Sequence, residues 1–174
     1  MKKAVLLLMA AVAAPVAAQY AQQRNEKTEK QNIEAVRRMT EKMNRGKWRL
    51  AADDFAEDTQ NHGEKVGREG VRAVLEDIFT TFPDFRMETL ESFAAGDWVS
   101  VRYQVTGTHR GVGKIPVNGG MLVGVAPTGK RFEVQHIHYF KLRGGKIVDH
   151  YANRDDLGMM QQLGLLPPNK TDQN

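Results

Sequence analysis

The chain has 174 residues and a formal net charge of +4, and 41% of its residues are hydrophobic while 26% are charged. This balance is typical of a single soluble domain and excludes wholly disordered, collagen-like and low-complexity proteins. The absence of cysteine excludes disulfides, thiolate metal sites and a cysteine nucleophile. Acidic residues are interspersed among the basic ones, so nucleic acid is not an expected partner.

The amino terminus has the pattern of a secretory signal peptide. Two lysines precede an apolar run at residues 4–14, and small residues follow at positions 16–18. The run is shorter than the roughly 20 apolar residues that a membrane span needs. We therefore predict a signal peptide at residues 1–18 with cleavage near Ala18. The mature protein would be periplasmic or secreted, with no stable membrane anchor.

Helical periodicity dominates the first half of the chain. Residues 19–30 are polar and are predicted to form a flexible segment that leads into an amphipathic helix from about residue 26 to residue 44, which Gly46 ends. A short helix is predicted around residues 48–55. After a polar connector at residues 60–63, a third helix should stop before Pro83.

The apolar period changes from about 3.6 to 2 after Pro83, which indicates strands. They are predicted near residues 85–93, 98–109, 131–142 and 146–155. Glycine-containing pairs at 96–97 and 144–145 are turn signals, so antiparallel hairpins are favoured. The glycine-rich residues 111–129 should form a long loop with a short strand at 121–125. A last helix should begin near Asp155 or Asp156 and end before Gly164.

This order of elements predicts an α+β domain at residues 31–167, with helices packed on one face of a curved antiparallel sheet. The remaining residues, 168–174, are predicted to be a C-terminal tail.

The hairpin at Gly144-Gly145 places several polar groups on one side of the sheet. With those glycines as a two-residue turn, His138 lies opposite Tyr151 and His136 lies opposite Asn153. Continuing this register brings His136 and Asp155 together as diagonal neighbours. A face that mixes apolar side chains with imidazoles and a carboxylate indicates a lined cavity suited to general acid-base catalysis.

Structural roles explain the same residues equally well at this point. Either histidine could be a satisfied core residue, and Asp155 could merely cap the last helix. A single bulge would turn half of these side chains to the other side of the sheet. The pair His136 and His138 also has the spacing of two metal ligands on a strand, but residues 139–145 contain no acidic ligand.

Eight short motifs, taken in order, carry a family resemblance. They are Asn61-His62, Gly67-Arg68-Glu69-Gly70-Val71, Phe82-Pro83-Asp84-Phe85, Gly96-Asp97-Trp98-Val99, Gly107-Thr108-His109-Arg110-Gly111, Ile137-His138-Tyr139-Phe140, Gly145-Lys146-Ile147-Val148-Asp149-His150-Tyr151 and Asp155-Asp156-Leu157-Gly158-Met159-Met160-Gln161-Gln162-Leu163-Gly164. Together they resemble the SnoaL-like polyketide cyclase, or ester cyclase, family of the nuclear transport factor 2-like superfamily. The resemblance spans about residues 33–167.

The resemblance implies a cone-shaped α+β fold around an apolar pocket, commonly as a homodimer. Cyclases of this family close a ring by an intramolecular aldol reaction without a metal or an organic cofactor. By position, Asp155 resembles the carboxylate that takes a proton from the carbon nucleophile, and His138 resembles the imidazole that assists at the carbonyl. The residues expected to contact the substrate are His62, His136, Tyr151, Asn153 and Trp98.

We therefore expect an exported protein that binds a small apolar carbonyl or ester compound. Its expected activity is cofactor-free acid-base catalysis of the aldol cyclase or isomerase type, with Asp155 as the base and His138 as its partner. The alternative is a periplasmic binding protein of the same fold that uses the pocket without catalysis. We expect no metal and no cofactor.

Overall fold

The computed structural model describes residues 2–116 and 120–167, and within these the chain forms four helices and six strands. The helices are α1 (Lys2–Asn44), α2 (Trp48–Ala52), α3 (Gly67–Thr81) and α4 (Asp156–Gln162). The strands are β1 (Gln60–Asn61), β2 (Glu64–Lys65), β3 (Arg86–Ala95), β4 (Trp98–Thr108), β5 (Arg131–Arg143) and β6 (Lys146–Arg154).

The long strands form one antiparallel sheet in the order β3-β4-β5-β6. The C-terminal half of α1 packs on β3 and β4, and its buried side chains Val36, Met39 and Met43 join the core. Alternate residues of β4 face them, including Val101 and Val105, and removal of this apolar surface from water stabilises the sheet-helix contact. The predicted α+β arrangement, with N-terminal helices on an antiparallel sheet, is confirmed.

The first helix is longer than the periodicity predicts. Residues 19–30, expected to be flexible, lie within α1, where Gln22 bonds Glu26 and Thr28 bonds the carbonyl of Arg24, each one turn away. Gly46 (φ 68°) ends the helix as predicted, because it adopts the left-handed conformation that lets residues 46 and 47 bond back to the last turn.

The functions predicted for the two ends of the chain stay predictions. Residues 2–18 are helical, and a helical backbone does not distinguish a signal peptide from any other helix. The C-terminal tail predicted at 168–174 lies outside the described residues. Among the helices that the structure describes, none has both the length and the apolar character needed to cross a membrane.

The polar connector predicted at residues 60–63 is a small hairpin, in which Asn61 pairs with Glu64. His62 and Gly63 form its turn, with φ angles of 54° and 80°. The N–H of His62 donates to the carbonyl of His150 at 2.8 Å, so this hairpin is fixed against β6. Its strands have only two residues each, too few to give a recognisable alternation.

The strand expected at residues 121–125 is wrong. In the described part of that loop, the strand pairing consists of one isolated bridge, between Gly113 and Val123, and does not extend to neighbouring residues. Glycines at 120 and 124, both with positive φ, prevent a continuous extended segment.

The predicted register of the β5–β6 hairpin is right at its turn and wrong beyond it. Arg143 pairs with Lys146 and Leu142 pairs with Ile147, but a bulge follows and Lys141 pairs with Asp149. Val148 is therefore the extra residue on β6.

The bulge has a physical reason in the contacts of Ile147. Its side chain is buried, its N–H donates to Asp54 and its carbonyl accepts from Ala56. Because both bonds hold the edge of β6 at Ile147 that faces away from β5, the added residue restores pairing with β5 by shifting the rest of β6 one position. All inward and outward positions after Val148 are thereby exchanged relative to the predicted register.

Candidate acid-base site

The inner face of the β5–β6 hairpin carries three imidazoles. His136 pairs with Arg154, His138 with Ala152 and Phe140 with His150, so these side chains alternate toward the helices. His136 is buried, while His138 and His150 are enclosed by protein and still keep some accessible surface. Burial is therefore nearly complete at His136 and partial at the other two rings.

The imidazoles form a continuous row that ends at Asn61. His150 Nδ1 lies 2.9 Å from Asn61 Oδ1, and His150 Nε2 lies 2.9 Å from His138 Nδ1. The row continues from His138 Nε2 to His136 Nδ1 at 3.5 Å, its longest link. The rings of His136 and His138 are stacked with their centroids 5.6 Å apart. The row therefore connects the exposed β1–β2 hairpin with the interior.

Burial keeps these histidines neutral. Loss of solvation lowers the pKa of His136 to about 4 and that of His150 to about 3, and it lowers the pKa of His138 well below the ordinary value. The positive charge of Arg154 acts in the same direction on all three. At neutral pH each ring therefore has one nitrogen that carries a proton and one that can accept one.

A carboxylate and a guanidinium lie beside the inner end of the row. Arg154 Nε is 3.6 Å from Asp156 Oδ2. Burial raises the pKa of Asp156, against the lowering effect of Arg154. Arg154 Nε, Asp156 Oδ1 and His136 Nε2 are buried and have no hydrogen-bond partner among the described atoms. Buried polar atoms of this kind are positions where a water molecule or a polar group of a ligand would supply the missing partner.

The uninterrupted register predicts that the side chain of Asp155 faces inward beside His136, but the structure places Asp155 at the exposed start of α4. It is the N-cap of α4, where its Oδ1 accepts from the N–H of Gly158 at 2.8 Å, and its side chain is exposed. Its negative charge reaches the site, since it raises the pKa of His136 against the effect of burial. The catalytic role of Asp155 stays a prediction.

A buried tyrosine supports the row from β4. The hydroxyls of Tyr103 and Thr40 are 2.8 Å apart, and the Tyr103 ring meets the edge of His138 with centroids 5.3 Å apart. Burial raises the pKa of Tyr103 to about 12, so it stays protonated. This contact links α1 to the imidazole row and fixes the orientation of His138.

The other predicted substrate residues gather on the outer face. The Tyr151 ring lies 5.2 Å from the His62 ring and 6.0 Å from the Trp98 ring, between centroids. Trp98 and Tyr151 line an open recess of about 520 Å³, while Asn153 is exposed beside Ile137. Of the five predicted contact residues, only His136 is on the inner face.

Sequence reasoning missed His150, Arg154 and Asn61. The first two follow the alternation 150, 152, 154 on one strand face, which would have identified them once the bulge at Val148 was known. Asn61 is brought to the site by the two-residue hairpin, for which the sequence gives only a turn signal.

The metal interpretation of His136 and His138 gains no further ligand. Within residues 2–116 and 120–167, no group of three or more histidine or acidic side chains is arranged to hold a metal ion.

Comparisons with known proteins give a consistent result. A family model described as SnoaL-like polyketide cyclase matches residues 33–163. The aklanonic acid methyl ester cyclase DnrD of Streptomyces peucetius is 32% identical over 143 residues, which cover 76% of this chain and 90% of that protein. The nogalonic acid methyl ester cyclase of Streptomyces nogalater is 30% identical over 107 residues, which cover 61% and 73%.

Solved structures agree on the fold. Wild-type IdmH from Streptomyces antibioticus superposes with a TM-score of 0.61 at 26% identity, covering 76% of this chain and 98% of IdmH. The structure of AclR from Streptomyces galilaeus gives a TM-score of 0.65 at 23% identity, covering 81% and 86%.

Proposed function

Because the chain belongs to the SnoaL-like polyketide cyclase family, we propose that it performs cofactor-free acid-base catalysis on a small, mostly apolar carbonyl or ester compound. The reaction would be of the aldol cyclase or isomerase type. The observation that carries the proposal is the row of neutral imidazoles on the inner face, at His136, His138 and His150. A neutral imidazole can take a proton from a carbon beside a carbonyl and return it to an oxygen.

The charged residues beside the row have complementary roles in this proposal. The buried Nε of Arg154 is 3.6 Å from Asp156 Oδ2 but has no hydrogen-bond partner within the described part of the chain, so it would donate to the oxygen on which negative charge develops. Asp155, proposed as the base from its sequence position, is the carboxylate whose charge acts on His136, whereas Asp156 is paired with Arg154. Asp155 would stabilise an imidazolium formed at His136 during the reaction, and the more buried Asp156 would hold Arg154 in place.

We also propose that the protein acts after export, as a homodimer that pairs through the outer face of the sheet. The signal-peptide pattern at residues 1–18 supports export. Exposed apolar side chains on the outer face, including Phe93, Ile137 and Tyr139, support pairing with a second copy. Light scattering of the wild type and a Tyr139→Glu variant tests the dimer, and an equal monomeric mass for both would contradict it.

The experiment that tests the catalytic proposal measures turnover of candidate methyl esters. Aklanonic acid methyl ester and nogalonic acid methyl ester are the first compounds to try, because they are named for the cyclases that this chain resembles. We expect His138→Gln to lower kcat at least about 100-fold, as loss of an acid-base group does. Tyr139→Phe, on the adjacent outward-facing position, is the matched control and should leave kcat unchanged.

Two further variants separate the carboxylates. Asp155→Asn removes the negative charge that acts on His136, and Asp156→Asn removes the charge paired with Arg154. The variant with the larger loss of kcat identifies the group that assists the reaction. Turnover that is unaffected by His138→Gln would contradict the proposal. Thermal stabilisation by these esters without turnover would instead favour the alternative, a non-catalytic binding protein.

A further inference from the structure

Asn61 determines which nitrogen of His150 carries a proton. The Asn61 atom that faces His150 Nδ1 is the amide oxygen, at 2.9 Å, and an amide oxygen only accepts hydrogen bonds. His150 Nδ1 must therefore be the protonated nitrogen. Since burial keeps His150 neutral, its Nε2 then has a lone pair.

This choice is transmitted along the row. His150 Nε2, as an acceptor, requires a proton on His138 Nδ1, and the neutral His138 then has a lone pair on Nε2. By the same reasoning, the lone pair on His138 Nε2 requires a proton on His136 Nδ1. The three rings thus share the Nδ1–H tautomer, and the last lone pair is on His136 Nε2, the buried atom without a partner among the described residues.

The surroundings of His136 favour the same tautomer. Arg154 lies opposite His136 in the strand register and brings a guanidinium, which has only donors, to this end of the row. The charge of Arg154 acts on His136, where it lowers the pKa, so a lone pair toward this end of the row is favoured over an N–H. The electrostatics at the inner end therefore agree with the hydrogen bond at the outer end.

We propose that Asn61, His150, His138 and His136 form a proton relay in which Asn61 sets the direction and His136 Nε2 is the atom that accepts the proton. The inference rests on the proposed function for the reaction that it serves. In the forward direction, a C–H bond of the bound carbonyl compound breaks and its proton binds His136 Nε2. His136 passes its Nδ1 proton to His138 Nε2, and His138 passes its Nδ1 proton to His150 Nε2.

After these transfers the positive charge is on His150 and the negative charge is on the enolate. Because the pKa of His150, about 3, is below that of His136, about 4, this state is transient and the proton returns readily. The carbonyl oxygen of Asn61 and the carboxylate of Asp149 are the groups that stabilise the imidazolium, since Asp149 raises the pKa of His150 while His62 and Arg154 lower it. The reverse transfers return the proton through His136 Nε2 to the product oxygen. The relay therefore separates the two charges during the reaction and consumes no co-reactant.

The relay is tested by the tautomers, independently of activity. The protein labelled with ¹⁵N in histidine is measured by long-range ¹H–¹⁵N correlation at pH 7, with each ring assigned by a His→Gln variant. We expect the Nδ1–H tautomer for His136, His138 and His150. An Nε2–H tautomer or an imidazolium at any of the three would overturn the proposal.

Substitutions at Asn61 test the direction. Asn61→Leu removes the acceptor, so we expect loss of the Nδ1–H signature at all three rings. Asn61→Asp keeps an acceptor oxygen and should retain the signature. Glu64→Gln, at the position paired with Asn61 in the same hairpin, is the control and should leave it unchanged. A folded Asn61→Leu protein with unchanged tautomers would show that Asn61 does not set the direction.

Kinetics connect the relay to the reaction. With a methyl ester that turns over, Asn61→Leu should lower kcat at least 10-fold with little change in KM, because it alters proton transfer and not the binding surface. Equal kcat in the wild type and Asn61→Leu would overturn the relay. The predicted tautomers in a protein that turns over none of the esters would contradict the proposed function instead, so the two failures are distinguishable.

Discussion

The inner and outer faces of the β5–β6 hairpin both carry aromatic and polar side chains, but only the inner ones bond to each other in a row. On the inner side, His150, His138 and His136 are linked by ring nitrogens and enclosed by protein. On the outer side, Trp98 and Tyr151 contact at 6.0 Å and line an open recess. Because Val148 is left unpaired in a bulge, the residues of β6 after it face the opposite sides from those that an uninterrupted register with Val148 paired would give. The chemistry of this protein therefore depends on backbone register as much as on residue type.

Acidification should destabilise the protein through the inner face. The pKa of His136 is about 4 and that of His150 about 3 in the folded protein, whereas an unfolded histidine has its ordinary value near 6.5. Between these values the unfolded chain binds protons that the folded chain does not, so the stability is present above pH 6.5 and is lost as the pH falls.

The expected loss is about 1.4 kcal/mol for each pH unit and each histidine between pH 6 and pH 4. Urea unfolding at a series of pH values measures the slope of the unfolding free energy against pH. His150→Gln should reduce that slope by the contribution of one histidine, about 1.4 kcal/mol for each pH unit. A free energy of unfolding that is constant from pH 7 to pH 5 would show that the inner histidines are not held neutral.

Two tyrosines on opposite faces allow a direct comparison. Tyr103→Phe removes the buried hydroxyl that bonds Thr40, and we expect a loss of about 1 kcal/mol. Tyr139→Phe keeps the aromatic ring that the proposed dimer would use and removes a hydroxyl that is exposed in the single chain, so it should change the stability by less than about 0.5 kcal/mol. Thermal or urea unfolding of both variants is sufficient. Equal losses would mean that the Tyr103–Thr40 contact contributes nothing beyond packing.

Much of the fold could be predicted from the sequence because its signals are local. Each of these signals acts over a few residues: the helix end at Gly46, the turn at the glycine pair 144–145 and the change of period after Pro83. Together they were sufficient to predict the helices, the turns and the four long strands. The strand expected at 121–125 failed for a local reason as well, since two glycines with positive φ interrupt it.

The site was harder to predict because its geometry depends on distant contacts. The bulge at Val148 is associated with bonds from Ile147 to Asp54 and Ala56, about ninety residues earlier in the chain, and no pattern within β6 indicates it. His136 and His138 were identified correctly as neighbours on one face, because two residues on one strand need no register. Every pair that crossed from β5 to β6 beyond the turn needed the register and was wrong.

The smallest effect is expected at the turn that holds Asn61. His62 has φ 54°, a conformation that costs a residue with a Cβ about 1 kcal/mol and that asparagine tolerates better. We expect His62→Asn to raise the unfolding free energy by about 0.5 kcal/mol, since relief of the turn is partly offset by loss of the ring contact with Tyr151. His62→Ala loses the same contact and keeps the unfavourable backbone, so it should be less stable than the wild type. Urea midpoints of the three proteins separate the two contributions, and a His62→Asn variant as unstable as His62→Ala would mean that the outer ring contact, not the turn, holds this hairpin against β6.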